Sequence, residues 1–103
     1  MRFMIKAVWD MDKGNALIRS GAMSETIQKL VKTIQPEATY FVTEDGNRAA
    51  IFIVEMDDAA QMPAIAEPMF LALNAKVSFH PAMTPEDLDR AGHGIQTAVE
   101  QFT

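Results

Sequence analysis

Two side chains of this sequence are of types that carry proton chemistry, and both fall in β-rich segments. His80 ends one such segment before Pro81, and Lys6 lies in the middle of the first. Histidine acts as acid or base near neutral pH, and burial in a dry cavity lowers the pKa of a lysine. The pair predicts a site for proton transfer or anion binding. Each residue also has a structural interpretation: a hydrogen-bonded ring at a strand end for His80, and an ion pair with a rim carboxylate for Lys6.

Other residues could line a pocket around these two groups. Ser78 shares the strand phase of His80, because side chains alternate between the faces of a strand. A flat organic ligand would contact aromatic walls, although aromatic residues on strands more often belong to the core. The candidates for ligand contact are Trp9, Thr39, Phe41, Phe52 and Ser78. Tyr40 is assigned to the face that packs against helices.

Composition excludes several classes of function. The chain has no cysteine and two histidines, so thiol nucleophiles and iron–sulfur centres are excluded, and we predict neither a metal site nor a cofactor. We expect His93, between two glycines, to face solvent. Nine basic and fourteen acidic residues give a net charge of −5, which repels the phosphates of nucleic acid.

Targeting features are also lacking in the sequence. The longest apolar run, residues 49 to 54, has the length of a strand, so we expect neither a membrane-spanning helix nor membrane binding. The segment before Lys6 is too short for the apolar core of a signal peptide. These features predict a cytoplasmic protein.

Hydrophobic spacing divides the chain of 103 residues into alternating strands and helices within one domain, residues 1–103. The predicted strands are residues 2 to 9, 37 to 44, 48 to 56 and 75 to 82. A first helix extends to about Gln35, with a bend or break near residues 20 to 24. A second begins at Asp57-Asp58 and is shortened or kinked by its prolines, so that residues 69 to 73 form a connector. Thr84-Pro85-Glu86-Asp87 begins a third helix.

The sequence Asp45-Gly46 predicts a tight hairpin, because a type I′ turn needs positive φ at both central positions. The resulting register pairs Glu44 with Asn47 and places Tyr40, Val42, Ala49, Ile51 and Ile53 on one face. The other face carries Thr39, Phe41, Thr43, Ala50, Phe52 and Val54. We assign the first face to the helices and expect the second, with Phe41 and Phe52, to be open.

The order βαββαβ followed by a helix predicts the ferredoxin-like α+β fold with a four-stranded antiparallel sheet. Both crossover helices of this fold cover one side of the sheet, and here both sides are apolar. A bare apolar face of this size must be covered, so we predict a homodimer that packs sheet on sheet. The alternative is that the third helix folds back over that face.

The element order, the hairpin Tyr40-Phe41-Val42-Thr43-Glu44-Asp45-Gly46 and the segment from Pro68 to Pro81 resemble the dimeric α/β-barrel superfamily. Within it, the chain is similar to small bacterial families without a characterised activity. The resemblance implies a barrel formed by two chains. Superfamily relatives include cofactor-less monooxygenases, muconolactone isomerases and haem-handling proteins, but no catalytic motif of these branches is present to transfer.

Two functions follow as hypotheses. The first is a small-molecule enzyme, of isomerase or monooxygenase type, or a ligand-handling protein. In it Lys6 and His80 face a cavity between subunits and bind a small organic anion or an enolisable ligand. The second is a non-catalytic homodimeric binding or interaction module.

Overall fold

The computed structural model describes all 103 residues. Four strands and five α-helices follow one another along the chain. The strands are β1 (Arg2–Val8), β2 (Ala38–Glu44), β3 (Asn47–Glu55) and β4 (Lys76–Pro81). The helices are α1 (Met11–Ser20), α2 (Met23–Ile34), α3 (Met62–Leu73), α4 (Pro85–Arg90) and α5 (Gly92–Phe102).

The strands form one antiparallel sheet in the order β2-β3-β1-β4. This is the ferredoxin-like α+β arrangement followed by C-terminal helices, as the element order predicted. The predicted hairpin register is confirmed, since Glu44 pairs with Asn47, and Asp45 and Gly46 both have positive φ.

One prediction about the helices is confirmed and another was wrong. The first helix breaks within the predicted residues 20 to 24, at Gly21, whose φ of 77° ends α1 before α2 begins. Residues 69 to 73 do not form a connector, because α3 continues through Pro68 to Leu73. Ile65, Met69 and Leu73 follow one another at helical spacing and are buried. Their burial outweighs the cost of an internal proline, about 3 kcal/mol.

The assignment of the hairpin faces was wrong. The helices cover the face that carries Phe52 and Val54, which are buried, whereas Tyr40 is 60% exposed on the other side. The reason lies in the pairing of β1 with β3: Ile5 lies opposite Phe52, and directly paired residues share a face. The buried core on this side is Ile5, Ala7, Trp9, Leu30, Ile34, Ala50, Phe52, Val54, Met56, Ile65, Met69, Leu73 and Ala75.

Helix α4 begins at the predicted cap. The Asp87 carboxylate accepts a hydrogen bond from the Thr84 backbone N–H at 2.9 Å, and the Thr84 hydroxyl accepts one from the Asp87 N–H at 3.2 Å. The first of these bonds lowers the pKa of Asp87 below its ordinary value. Helices α4 and α5 do not fold back over the sheet, and none of their residues is buried.

Acid should therefore loosen the start of α4. Because the folded pKa of Asp87 is lowered from 3.8, its carboxylate stabilises the cap above that pH, and the contribution is lost as the pH falls through the folded pKa. We expect this loss in backbone NMR shifts of residues 85 to 90 during acid titration, and its absence in Asp87→Asn. Glu86→Gln, which changes an exposed acid in the same turn, serves as the control. An identical titration in Asp87→Asn would contradict the assignment.

Candidate functional site

One face of the sheet is not covered by any helix, and we call it the open face. Strand alternation and the pairing register place on it Met4, Lys6, Val8, Ala38, Tyr40, Val42, Ala49, Ile51, Ile53, Lys76, Ser78 and His80. Most of these side chains are apolar, and Tyr40 and Val42 remain 60% and 38% exposed. An apolar sheet face of this extent is typical of an interaction or ligand-binding surface.

Three polar side chains lie close together on this face, on β1 and on the adjacent edge strand β4. Lys6 lies directly opposite Ser78, and Met4 lies opposite His80. The His80 Nε2 atom is 3.1 Å from the Ser78 Oγ atom, and His80 is exposed. Val77 and Phe79 pack against the core on the other side, which leaves Ser78 and His80 on the open face. The structure therefore brings together Lys6, Ser78 and His80, which we call the polar row.

The Lys6 ammonium group is engaged within the chain. It donates a hydrogen bond to Glu44 Oε1 at 2.9 Å, and the Lys6 side chain is 28% exposed. Glu44 lies on β2, so the ion pair crosses β3, where Ala49 is fully buried. This contact matches the ion-pair interpretation of Lys6. Any anionic ligand at the polar row has to compete with Glu44 for this ammonium.

The remaining candidates lie on the helix-covered side, away from the polar row. Phe52 is 1% exposed and belongs to the core, and Thr39 lies opposite it on β2. Trp9 is buried, and its ring lies 6.4 Å from that of Phe41 at an interplanar angle of 35°. Phe41 itself is 56% exposed at the sheet edge. None of these four side chains faces the open face, so they do not wall the predicted cavity.

The sequence did not reveal a cavity of about 400 Å³ at the end of the sheet where β1 and β4 meet the hairpin turn. It is lined by Val8, Trp9, Asp10, Met11, Glu44, Asp45, Asn47, Asn74 and Lys76. Glu44 connects it with the polar row. Lys76 could have been found from the sequence, because it has the strand phase of Ser78 and His80. The buried indole Nε1 of Trp9, at this cavity, has no hydrogen-bond partner.

Other features of the chain limit the chemistry. No group of three or more histidine, aspartate or glutamate side chains could hold a metal ion. His93 is exposed on α5 and is not part of the strands that carry the polar row. No helix has both the length and the apolar character needed to span a bilayer.

The chain matches no protein-family model, and no curated protein matches it.

Proposed function

We propose that this protein is a homodimer that binds a small organic anion or an enolisable ligand between two facing sheets. The observation that carries the proposal is a polar row of three hydrogen-bonding side chains at the β4 edge of an uncovered apolar face. An apolar face of this kind favours association with a second copy through a two-fold axis. The barrel of the dimeric α/β-barrel superfamily would be such an assembly.

The chemistry of the polar row supports a ligand that accepts hydrogen bonds. Lys6 carries an ammonium group, Ser78 a hydroxyl group and His80 a ring N–H, all of which can donate. A carboxylate or an enolate offers the matching acceptors. Association through the open face would place two polar rows in a space with little water, where such hydrogen bonds are stronger.

Substitutions of Glu44 and of the polar row should change the affinity for a carboxylate in opposite directions, and this tests the proposal. Glu44→Gln releases the Lys6 ammonium from its ion pair and should tighten the binding of a carboxylate by roughly 2- to 5-fold, the range expected for a partly exposed pair. Lys6→Met and His80→Ala remove donors and should weaken it. Glu37→Gln is the matched control, because Glu37 pairs with Arg2 outside the polar row.

Binding can be followed by NMR, with acetoacetate as an enolisable carboxylate and benzoate as a rigid one. We expect saturable shifts at the signals of Ser78 and His80, with affinities in the order Glu44→Gln, wild type, Lys6→Met. Two results would count against the ligand site: equal affinity in all variants, or no shift at these signals up to millimolar concentration.

A second function is favoured by one observation. Lys6 is paired with Glu44, and Ser78 lies within hydrogen-bond distance of His80, so the polar groups of the open face satisfy one another. This suits a non-catalytic interaction module whose face needs only a protein partner. A dimer of full stability that binds neither carboxylate would favour this function.

A further inference from the structure

The last two helices, α4 and α5, form an extension that we call the C-terminal arm. Ile95, Val99 and Phe102 of α5 are spaced by four and three residues, as on one side of a helix, and α4 adds the apolar Leu88. They are between 49% and 84% exposed. The side-chain hydrogen bonds of α5 remain within α5. An isolated helix of this length is marginal in water, so the arm needs a surface to pack against.

The dimensions of the chain show how much surface the arm leaves open. A compact protein of 103 residues has a radius of gyration of about 13 Å, whereas this chain has 17.1 Å and a longest dimension of 59 Å. Its accessible surface is 6993 Å², against about 5,800 Å² for a compact monomer of its mass. The excess of roughly 1,200 Å² exceeds the 800 Å² or so that each partner buries in a stable interface.

The edge strand β2 carries exposed apolar side chains that an apolar helix could cover. Tyr40, Phe41 and Val42 are consecutive residues of the edge strand β2, and all three are exposed. Because side chains alternate along a strand, both faces of this edge are apolar. Exposed apolar edge strands promote aggregation unless a helix or another chain covers them. The chain thus carries both an apolar helix without a partner and an apolar edge without cover.

We propose that the C-terminal arm of one chain packs on the β2 edge of a second copy, and that the two arms are exchanged in the dimer. The inference rests on the proposed sheet-on-sheet dimer. A two-fold axis parallel to the strands reverses the strand order of the partner, so β4 of one sheet lies over β2 of the other. The arm begins just after β4 ends at Pro81, and therefore starts beside the partner's β2 edge. Exchange covers both arms and both edges in a closed assembly.

The absence of cysteine makes the arm suitable for cross-linking. We would introduce Phe41→Cys and Val99→Cys together, because Phe41 lies on the side of the β2 edge that the facing sheet does not cover. A refolded mixture of ¹⁴N- and ¹⁵N-labelled chains is then treated with a short bismaleimide, and mass spectrometry shows whether each cross-linked pair of peptides carries one isotope or both. Exchange predicts that about half of the cross-links join a light and a heavy peptide, because two-fold dimers mix statistically. Thr43→Cys with Ile95→Cys is a second pair, with Thr43 exposed on the same side of the edge.

One control pair and three possible outcomes test the exchange of the arms. Gln101→Cys with Phe41→Cys places the arm cysteine on a different side of α5 and should lose most of the mixed cross-links. Same-isotope cross-links alone would mean that the arm folds back on its own chain, which overturns the exchange. A protein of dimer mass without cross-links in either pair overturns it as well but leaves the sheet-on-sheet dimer standing. A monomer by light scattering overturns both proposals.

Discussion

Replacing Phe52 with alanine should lower the free energy of unfolding by about 3–5 kcal/mol, as expected for a large buried aromatic residue. Phe52 is 1% exposed and lies opposite Ile5 in the centre of the helix-covered face. The truncation leaves a cavity that the surrounding strands and α3 cannot fill completely. Since domains of this size are stable by roughly 5–15 kcal/mol, this loss is a large fraction of the total stability.

Urea denaturation followed by circular dichroism measures this effect. Phe41→Ala is the matched control, because Phe41 is the same residue type on the same sheet face but is 56% exposed. We expect Phe41→Ala to lower the free energy of unfolding of the monomer by less than half as much as Phe52→Ala does. Equal losses in the two variants would contradict the assignment of Phe52 to the core and of Phe41 to the exposed sheet edge.

Placing a charge at the centre of the open face should separate the proposed dimer into folded monomers. Ile53 lies on β3 opposite Met4, among the apolar side chains of that face. In a two-fold interface Ile53→Asp introduces two carboxylates, and burying an unpaired charge costs several kcal/mol. Each 1.4 kcal/mol is a factor of ten in affinity, so the dimer dissociation constant should rise at least about 100-fold.

Sedimentation or light scattering over a dilution series measures this constant. Gln28→Asp adds the same charge on an exposed position of α2 and should leave the dimer unchanged. If Ile53→Asp fails to fold, Tyr40→Asp tests the same face at a residue that is 60% exposed. A dimer that withstands both substitutions at micromolar concentration would show that another surface holds it together.

Local signals in the sequence predicted the four strands, the hairpin turn and the start of α4. Asp45-Gly46 determined the hairpin register because few residues adopt positive φ at both turn positions, and Thr84 with Asp87 marked a helix start by its own hydrogen bonds. The hairpin turn and the helix start both depend on residues that are close together in the chain, so they can be predicted from the sequence alone.

Features that depend on contacts between distant segments of the chain could not be predicted in the same way. The hairpin has two apolar faces, and only its pairing with β1, far away in sequence, decides which one meets the helices. The ion pair between Lys6 and Glu44 spans three strands of the sheet for the same reason. The position of His80 beside Ser78 was accessible from strand alternation, whereas the cavity near Lys76 depends on how loops from distant segments converge.

The central claim, that two chains associate through the open face, is tested most directly by the mass of the wild-type protein in solution. Light scattering after gel filtration at micromolar concentration should give about 23 kDa, twice the chain mass of 11.4 kDa. The mass should fall toward that of one chain in Ile53→Asp. A wild-type mass of 11.4 kDa at that concentration would contradict the claim.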